Sequence, residues 1–183
     1  MLEAMNHLPL DAARMRQALA GLDRLMDSPA TLVVGGGAAM ILAYDHPLAT
    51  QDVDAFAARG GLRMADLDKL AKRVATELDI EPDWLNSHFE TFTGVLPNDY
   101  ASRLRPVYRG KWLQVQALGP EDLLVMKCFA ARDKDLPHAR RLLRTKLDLD
   151  LVDRHLHSLI ERRYPKGERA ADYFDDLRDD EGV

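Results

Sequence analysis

Asp52 and Asp54 are the residues of this sequence whose types and spacing most directly suggest chemistry. In a β-strand, side chains at positions i and i+2 project from the same face, so the two carboxylates would lie side by side. Adjacent carboxylates repel unless they are solvated, unless one is protonated, or unless a divalent cation lies between them, and Mg²⁺ prefers oxygen ligands. The spacing therefore suggests a metal site, and a solvated turn or strand end is the plainer alternative.

Three consecutive glycines, Gly35 to Gly37, precede the aspartates. They follow the apolar run Leu32 to Val34 and are followed by an apolar segment typical of a helix. Glycines between a strand and a helix let the backbone approach a ligand closely, and the first amides of the helix then face an anion such as a phosphate. The alternative interpretation is that these glycines serve only tight packing.

Lys127 is the third residue that suggests chemistry, because it falls on the apolar face of a predicted helix. A buried lysine needs an anion, and the candidates are an aspartate of the pair or a bound triphosphate. The alternative is that its long stem carries the ammonium group out to solvent.

Hydrophobic periodicity predicts the elements that would position these residues. We expect helices over residues 11–26, 38–44, 64–78, 120–132, 139–146, 150–163 and 168–177. We expect strands over residues 31–34 and 50–56 and a hairpin of strands 105–108 and 112–118. Residues 82–102 are predicted to be rich in loops, where Trp84, Leu85, Phe89 and Phe92 either plug the edge of the core or lie in a loop facing a substrate.

Two segments of the chain resemble a known family. VGGGAA and TQDVDAF resemble the signature of the nucleotidyltransferase superfamily, which has the polymerase-beta-like fold, and more narrowly that of small bacterial proteins related to AbiEii-type toxins. GPEDLLVMKCFAARDKDLPHARRLL resembles the family's second signature, a helix that carries a lysine and is followed by an arginine and an Arg/Lys-Asp pair. The resemblance covers about residues 30–58 and 112–144.

The resemblance implies an α/β (α+β) fold with a mixed β-sheet flanked by helices and a helical C-terminal half. We expect residues 1–118 to form the nucleotidyltransferase-like core with its N-terminal helix. Residues 119–183 would form a helical part packed on that core, giving one compact domain overall.

The resemblance also implies site residues and cofactors. Asp52, Asp54 and Lys127 would be catalytic, and the two aspartates would hold Mg²⁺ or Mn²⁺. An NTP substrate would be bound by a wider set of residues: Gly35, Gly36, Gly37, Thr50, Arg132, Lys134 and Asp135. Gln116 would complete the metal site.

Three positions depart from the family pattern. Leu48 stands where an arginine is common, and His138 stands where an aspartate often follows. Gln114 and Gln116 occupy the strand that normally carries a third carboxylate, for which Glu121 or Asp122 could substitute. A glutamine can ligate a cation through its amide oxygen, but it adds no charge and cannot act as a general base.

These departures leave two functions open. One is the transfer of NMP from an NTP to a hydroxyl of a protein or of an RNA such as tRNA, with a cognate antitoxin if the chain is toxin-like. The other is a catalytically impaired nucleotide-binding or protein-interaction module on the same fold. A Rossmann-type dinucleotide site is a weaker hypothesis, because Ala38-Ala39-Met40 follows Gly37 where the fingerprint requires a glycine.

Composition limits the remaining possibilities. The chain has 183 residues, of which 46% are apolar and 30% are charged, as in a soluble globular protein. It contains no apolar run of the roughly 18 residues that a membrane helix needs, and its start lacks the layout of a signal peptide. We therefore expect a cytoplasmic protein without a membrane partner. The net charge of −5 provides no global attraction to nucleic acid.

Cysteine and histidine offer no further site in the sequence. The single cysteine, Cys128, excludes an internal disulfide, and we expect a buried inert thiol. His155 and His157 fall on different faces of a helix, so the six histidines suggest no zinc site. A basic run from Arg132 to Lys146 faces either a substrate or solvent, and we expect its last arginines to face solvent.

Overall fold

The computed structural model describes residues 7–47, 49–58 and 61–183, so Leu48 lies outside the described residues. Its strands are Ala30–Val34 (β1), Val53–Ala57 (β2), Leu85–Asn86 (β3), Arg105–Arg109 (β4) and Leu113–Ala117 (β5). Its α-helices are Ala12–Leu25 (α1), Gly36–Tyr44 (α2), Met64–Leu78 (α3), Pro120–Ala130 (α4), Leu136–Leu143 (α5), Leu149–Glu161 (α6) and Gly167–Glu181 (α7). Short 3₁₀ helices span His88–Val95, Tyr100–Arg103 and Asp133–Asp135. In the described ranges, no helix combines the length and the apolar character needed to cross a lipid bilayer.

The chain divides into two compact units. The sheet unit consists of Met1–Glu90 and Leu104–Ala117, and the helical unit consists of Thr91–Arg103 and Leu118–Val183. The sheet unit therefore contains β1 to β5 and α1 to α3, and the helical unit contains α4 to α7. The predicted boundary after residue 118 and the packing of the two parts as one domain stay predictions.

The five strands form one mixed sheet in the order β3-β2-β1-β5-β4. Strand β1 is antiparallel to β2 and parallel to β5. Strands β2 and β3 are parallel, whereas β4 and β5 form the predicted antiparallel hairpin. Helices α1, α2 and α3 contact the strands. The predicted mixed sheet with flanking helices is therefore confirmed.

The strand directions bring three chain segments to one edge of the sheet. Val34, at the end of β1, pairs with Ala55 near the start of β2 and with Ala117 at the end of β5. We call this end of the strands the site edge. It consists of the end of β1 with the glycine turn, the start of β2 with its aspartates, and the end of β5. Strand β3 extends it, because Asn86 pairs with Asp54.

The two faces of the sheet differ in polarity because side chains alternate along each strand. One face is fully buried and consists of Leu32, Val34, Val53, Ala55, Leu113, Val115 and Ala117. Helices α1 and α3 add further fully buried residues to this unit, among them Leu19, Leu22, Leu67 and Val74. The opposite face carries Asp54, Gln114 and Gln116, so the polar residues share the face away from this core.

The helical unit has a separate core, in which α4 contacts α5, α6 and α7. Leu124, Leu156, Phe174 and Cys128 are each at most 1% exposed. Cys128 is buried, as expected, and burial raises the pKa of its thiol well above the usual range.

Several predicted boundaries are wrong, among them the end of α7, which lies at Glu181, four residues after the predicted end. Strand β2 begins at Val53, so Asp52 precedes the strand, and Thr50 instead forms an isolated antiparallel bridge with Leu10. Helix α5 begins at Leu136, three residues before the predicted start, because Pro137 lies in its first turn, where a missing N–H costs nothing. Helix α3 has the predicted bounds.

The loop-rich segment contributes to the core as well as to the surface. Trp84 is fully buried, and its indole N–H donates to Ala71 O over 2.9 Å. Phe89 is 6% exposed and meets Phe56 edge-on, with ring centroids 5.4 Å apart. Phe92 is 40% exposed. The core interpretation therefore holds for Trp84 and Phe89 and fails for Phe92.

Candidate functional site

The glycine turn and Asp54 are in direct contact at the site edge. The Gly35 amide donates to Asp54 O over 3.1 Å, which continues the pairing of β1 with β2. Gly36 has φ +55°, and a Cβ added to it would lie 3.3 Å from Asp54 Oδ2. A side chain would be strained there and would press on the carboxylate, so glycine is needed at this position. A Cβ added to Gly37 would likewise lie 3.3 Å from Thr50 Oγ1.

The carboxylate of Asp52 is held by one donor on each oxygen. Thr50 Oγ1 donates to Asp52 Oδ1 over 3.2 Å, and Asn86 Nδ2 donates to Oδ2 over 3.1 Å. Thr50 is fixed in turn by two backbone hydrogen bonds with Leu10. A carboxylate oxygen that accepts one hydrogen bond keeps a lone pair for a cation, so these contacts orient Asp52 without blocking it.

His88 joins the two aspartates. One ligand atom from each of Asp52, Asp54 and His88 lies within 4.8 Å of the others, and both carboxylates are partly exposed. Among the described residues this is the one such group of His, Cys, Asp and Glu. The sequence analysis asked only whether the histidines form a zinc site, and it did not single out His88. Strand β3, which brings it close, is two residues long and leaves no periodic pattern in the sequence.

The donor set of this group fits a divalent cation. Two carboxylates and a neutral imidazole supply oxygen and nitrogen ligands with a total charge of −2, and all three are reachable from solvent. Asn86 and Thr50 supply the outer hydrogen bonds that usually accompany metal ligands.

Gln116 lies on the same face as Asp54 but two strands away. It pairs with Val33, which pairs with Phe56, two residues after Asp54. Two strand spacings separate the backbones of β2 and β5 by about 10 Å. Gln116 as a metal ligand stays a prediction.

The two acids that could replace a third carboxylate have other partners. Arg103 donates to both oxygens of Asp122, over 3.0 and 2.7 Å, and Asp122 is fully buried. Burial raises the pKa of Asp122 despite the opposing effect of Arg103. Glu121 Oε1 accepts from the Asp148 amide over 3.0 Å. Both acids therefore already have partners within the helical unit.

Lys127 is buried, as predicted, and its anion is Asp135. Its side chain is 6% exposed, so the snorkelling alternative is wrong. Lys127 Nζ donates to Asp135 Oδ1 over 2.5 Å and lies 3.3 Å from His138 Nδ1. Arg132 Nε donates to Asp135 Oδ2 over 2.5 Å. The sequence placed all four residues in one segment without indicating that Asp135 joins the two cations.

The charges of this cluster influence one another. Burial lowers the pKa of Lys127, and the Asp135 carboxylate only partly offsets it. Burial would raise the pKa of Asp135, but the hydrogen bonds from Arg132 and Lys127 outweigh it and lower that pKa below the usual range. Asp135 is therefore an anion at neutral pH. Removing it would leave the Lys127 charge buried without compensation.

The remaining basic residues are exposed or paired with acids. Lys134 is exposed, and the Arg132 side chain is 55% exposed. Arg140 on α5 and Arg144, the residue after α5, form ion pairs with Glu181 on α7 over 3.1 and 3.2 Å. Arg141 and Arg144 are exposed, which agrees with the expectation that the last arginines of the run face solvent.

A cavity of about 490 Å³ borders the metal-ligand group. Its lining includes Asp68, Asp83, Asn86, Ser87 and His88. Since His88 belongs to both and Asn86 of the lining donates to Asp52, a molecule in this cavity would lie beside the aspartate pair.

Comparison with known proteins gives a family. The model of the family described as "Nucleotidyltransferase of unknown function (DUF6036)" matches residues 13–175, a range that includes the glycine turn, the aspartate pair and the Lys127 cluster. No curated protein and no solved structure matches the chain. Because the family model covers most of its length, the chain belongs to this family of nucleotidyltransferases.

Proposed function

We propose that the protein is a divalent-metal-dependent nucleotidyltransferase that moves NMP from an NTP to a hydroxyl group. The observation that carries this proposal is the convergence of Asp52, Asp54 and His88 beside the glycine turn. Membership of a nucleotidyltransferase family supports it. A metal site next to the first amides of a helix suits a triphosphate and its cation better than either feature alone.

The backbone of the turn would bind the triphosphate. The Gly35 amide is already used by Asp54 O, so Gly36 and Gly37 at the start of α2 supply the donors. Both glycines are partly exposed, and a phosphate can reach them without a side chain in the way. Thr50 would hold Asp52 and the turn together.

In the transfer, the acceptor oxygen forms a bond to the α-phosphorus while the bond from that phosphorus to the bridging oxygen breaks. Pyrophosphate leaves with the electron pair, and the hydroxyl proton passes to water. Bound Mg²⁺ or Mn²⁺ supplies positive charge that stabilises the phosphoryl oxygens. Asp52 and Asp54 would hold that charge in place, and the buried core behind β2 fixes the backbone of Asp54.

Lys127, Arg132 and Lys134 would interact with the nucleotide phosphates in this proposal. Lys127 has three N–H donors, and the contacts with Asp135 and His138 account for two of them. Asp135 would then be a positioning residue that orients both cations. Gln116 would add a neutral oxygen ligand.

Charge favours a protein hydroxyl over RNA as the acceptor. The chain carries −5, Arg140 and Arg144 are paired with acids, and Asp68 and Asp83 line the cavity next to His88. A phosphodiester chain would be repelled there, whereas a basic peptide segment would not. The resemblance to AbiEii-type toxins supports a toxin role with a cognate antitoxin in the cytoplasm.

A second candidate is a nucleotide-binding module without turnover. It is favoured by the third ligand, which is a neutral imidazole, and by the engagement of Glu121 and Asp122 with other partners. With less negative charge, the site would hold the cation and the triphosphate but stabilise transfer poorly.

One experiment separates the two candidates. Purified protein is incubated with each α-labelled NTP, Mg²⁺ or Mn²⁺, tRNA and cell protein, beside a variant with Asp52→Ala and Asp54→Ala. Label on protein that disappears in the variant supports the enzyme, and label on tRNA reassigns the acceptor. No label, together with metal-dependent thermal stabilisation by NTP, supports the module. Neither response would contradict both.

A further inference from the structure

We propose that His88 is the third ligand of the metal centre, positioned by Asn86, and that the centre therefore prefers Mn²⁺ to Mg²⁺. This inference rests on the proposed function and adds its ion selectivity. His88, which lies 34 positions after Asp54 in the chain, would take the place of the missing third carboxylate.

The distances within the group suit a single ion. Ligand atoms about 2.1 Å from a six-coordinate ion are about 3 Å apart when adjacent and about 4.2 Å apart when opposite. The candidate atoms of Asp52, Asp54 and His88 lie within 4.8 Å of one another. Small side-chain rotations would therefore bring all three onto one ion, and His88 is exposed.

Asn86 connects two of these ligands through one amide group. Its Nδ2 donates to Asp52 Oδ2 over 3.1 Å, and its Oδ1 accepts from the His88 amide over 3.0 Å. Its backbone is fixed by pairing with Asp54 across β2 and β3. An amide side chain provides both a donor and an acceptor, whereas an aspartate cannot donate and a leucine can do neither. Asn86 thus fixes the position of the His88 backbone relative to the Asp52 carboxylate.

The ligand chemistry gives the selectivity. Mg²⁺ takes oxygen ligands and gives up water reluctantly, whereas first-row transition ions accept imidazole nitrogen more readily. Two carboxylates and one imidazole balance the charge of a divalent ion. A third carboxylate would add negative charge and favour the hard Mg²⁺ ion instead.

The test measures Mn²⁺ binding without nucleotide or turnover. Mn²⁺ is titrated into the protein while free ion is followed by electron paramagnetic resonance, and the bound ion is examined by electron spin echo for coupling to an imidazole ¹⁴N. We expect this coupling in the unaltered protein, its loss in His88→Ala and its retention in the control His157→Ala, since His157 lies exposed on α6. We also expect His88→Ala to weaken Mn²⁺ binding about tenfold and to leave Mg²⁺ binding within about twofold.

Two results would overturn the proposal: no ¹⁴N coupling in the unaltered protein, or the same coupling in His88→Ala. If Mn²⁺ still binds and Asp52→Asn abolishes that binding, the proposed function survives while the His88 ligand fails. If Asp52→Asn binds Mn²⁺ as well as the unaltered protein, the proposed function fails too.

The role of Asn86 has its own readout. Asn86→Ala is expected to weaken Mn²⁺ binding by at most about tenfold, as in His88→Ala, and to change the ¹⁴N coupling, because His88 loses its anchor. Thermal unfolding of the same variant shows whether it remains folded. Unchanged Mn²⁺ affinity and coupling in a folded variant would refute a positioning role, and Ser87→Ala is the neighbouring control that leaves both hydrogen bonds in place.

Discussion

At the scale of single residues, Gly36 shows how closely the phosphate turn and the metal ligands are coupled. Its φ of +55° disfavours any side chain, and its missing Cβ leaves room for Asp54 Oδ2. Gly36→Ala is expected to lower the free energy of unfolding by about 1–2 kcal/mol and also to weaken Mn²⁺ binding, because Asp54 must move. Chemical denaturation and a Mn²⁺ titration measure the two effects.

Gly182 is the matched control. It has φ +71°, and a Cβ added to it would meet nothing within 4 Å. Gly182→Ala should lower stability through the same backbone preference and leave Mn²⁺ affinity unchanged. Equal effects of the two substitutions on Mn²⁺ affinity would refute the coupling of Gly36 to Asp54.

The buried pair Lys127 and Asp135 gives a second prediction. Asp135→Asn leaves a buried ammonium without its anion and is expected to cost about 3–5 kcal/mol of unfolding free energy at neutral pH. Because the folded pKa of Asp135 lies below 3.8, its contribution is present above that pH and is lost as the pH falls through the folded pKa. The difference between the unaltered protein and the variant should therefore shrink in acid.

Denaturation of both proteins as a function of pH measures that difference. Asp133→Asn is the control, because Asp133 is exposed in the same 3₁₀ turn. A loss in Asp135→Asn no larger than in Asp133→Asn would show that Lys127 does not depend on this carboxylate.

Residue spacing predicted part of this site from the sequence. The aspartate pair, the glycine turn and the burial of Lys127 follow from periodicity and from the family resemblance. The pairing of Lys127 with Asp135 does not follow from the sequence, because α4 ends between these two residues. The position of His88 near the aspartates does not follow either, because it depends on the two-residue strand β3. Contacts across element ends and very short strands carry no periodic signal.

At the scale of elements, Asp23 fixes α1 to the β4–β5 hairpin. Its carboxylate accepts from the amides of Lys111, Trp112 and Leu113 over 3.0, 2.7 and 2.7 Å. Burial would raise the pKa of Asp23, but these three donors outweigh it and lower the pKa. One side chain thus determines where the hairpin turn lies relative to the first helix.

Asp23→Asn is expected to cost about 2 kcal/mol of unfolding free energy, because the amide group cannot accept all three hydrogen bonds. The stabilisation is present above pH 3.8 and is lost as the pH falls through the lower folded pKa, so the variant and the unaltered protein should converge in acid. Thermal or chemical unfolding at several pH values measures this. Asp27→Asn, at an exposed position just after α1, should have no such effect, and equal losses in the two variants would contradict the assigned role.

Element prediction succeeded where apolar periodicity is long and failed where it is short. Helix α3 has 15 residues with a continuous apolar stripe, and its bounds were predicted correctly. Strand β2 begins three residues later than predicted, because Thr50 pairs with Leu10, a contact over 40 residues of chain. Local patterns cannot show such a bridge.

At the scale of the whole molecule, the net charge of the protein bears on whether an RNA can be the acceptor. The net charge is −5, and Arg140 and Arg144 are compensated by Glu181. We expect binding of tRNA no tighter than about 10⁻⁴ M at physiological salt, the weak end of non-specific binding. Fluorescence anisotropy with labelled tRNA over a range of salt concentrations measures it. Micromolar binding with a steep salt dependence would instead favour an RNA acceptor.

The most direct test of the central claim, nucleotidyl transfer at the Asp52 and Asp54 centre, follows the two ends of the NTP separately. The protein is incubated with Mn²⁺, cell protein and ATP, GTP, CTP or UTP labelled at either the α- or the γ-phosphate. The account predicts α-label on an acceptor and γ-label in pyrophosphate, with the rate reduced about 10³-fold in Asp52→Asn and Asp54→Asn and unchanged in Asp27→Asn. Transfer of the γ-label to the acceptor, or α-label transfer that persists at full rate in both aspartate variants, would contradict it.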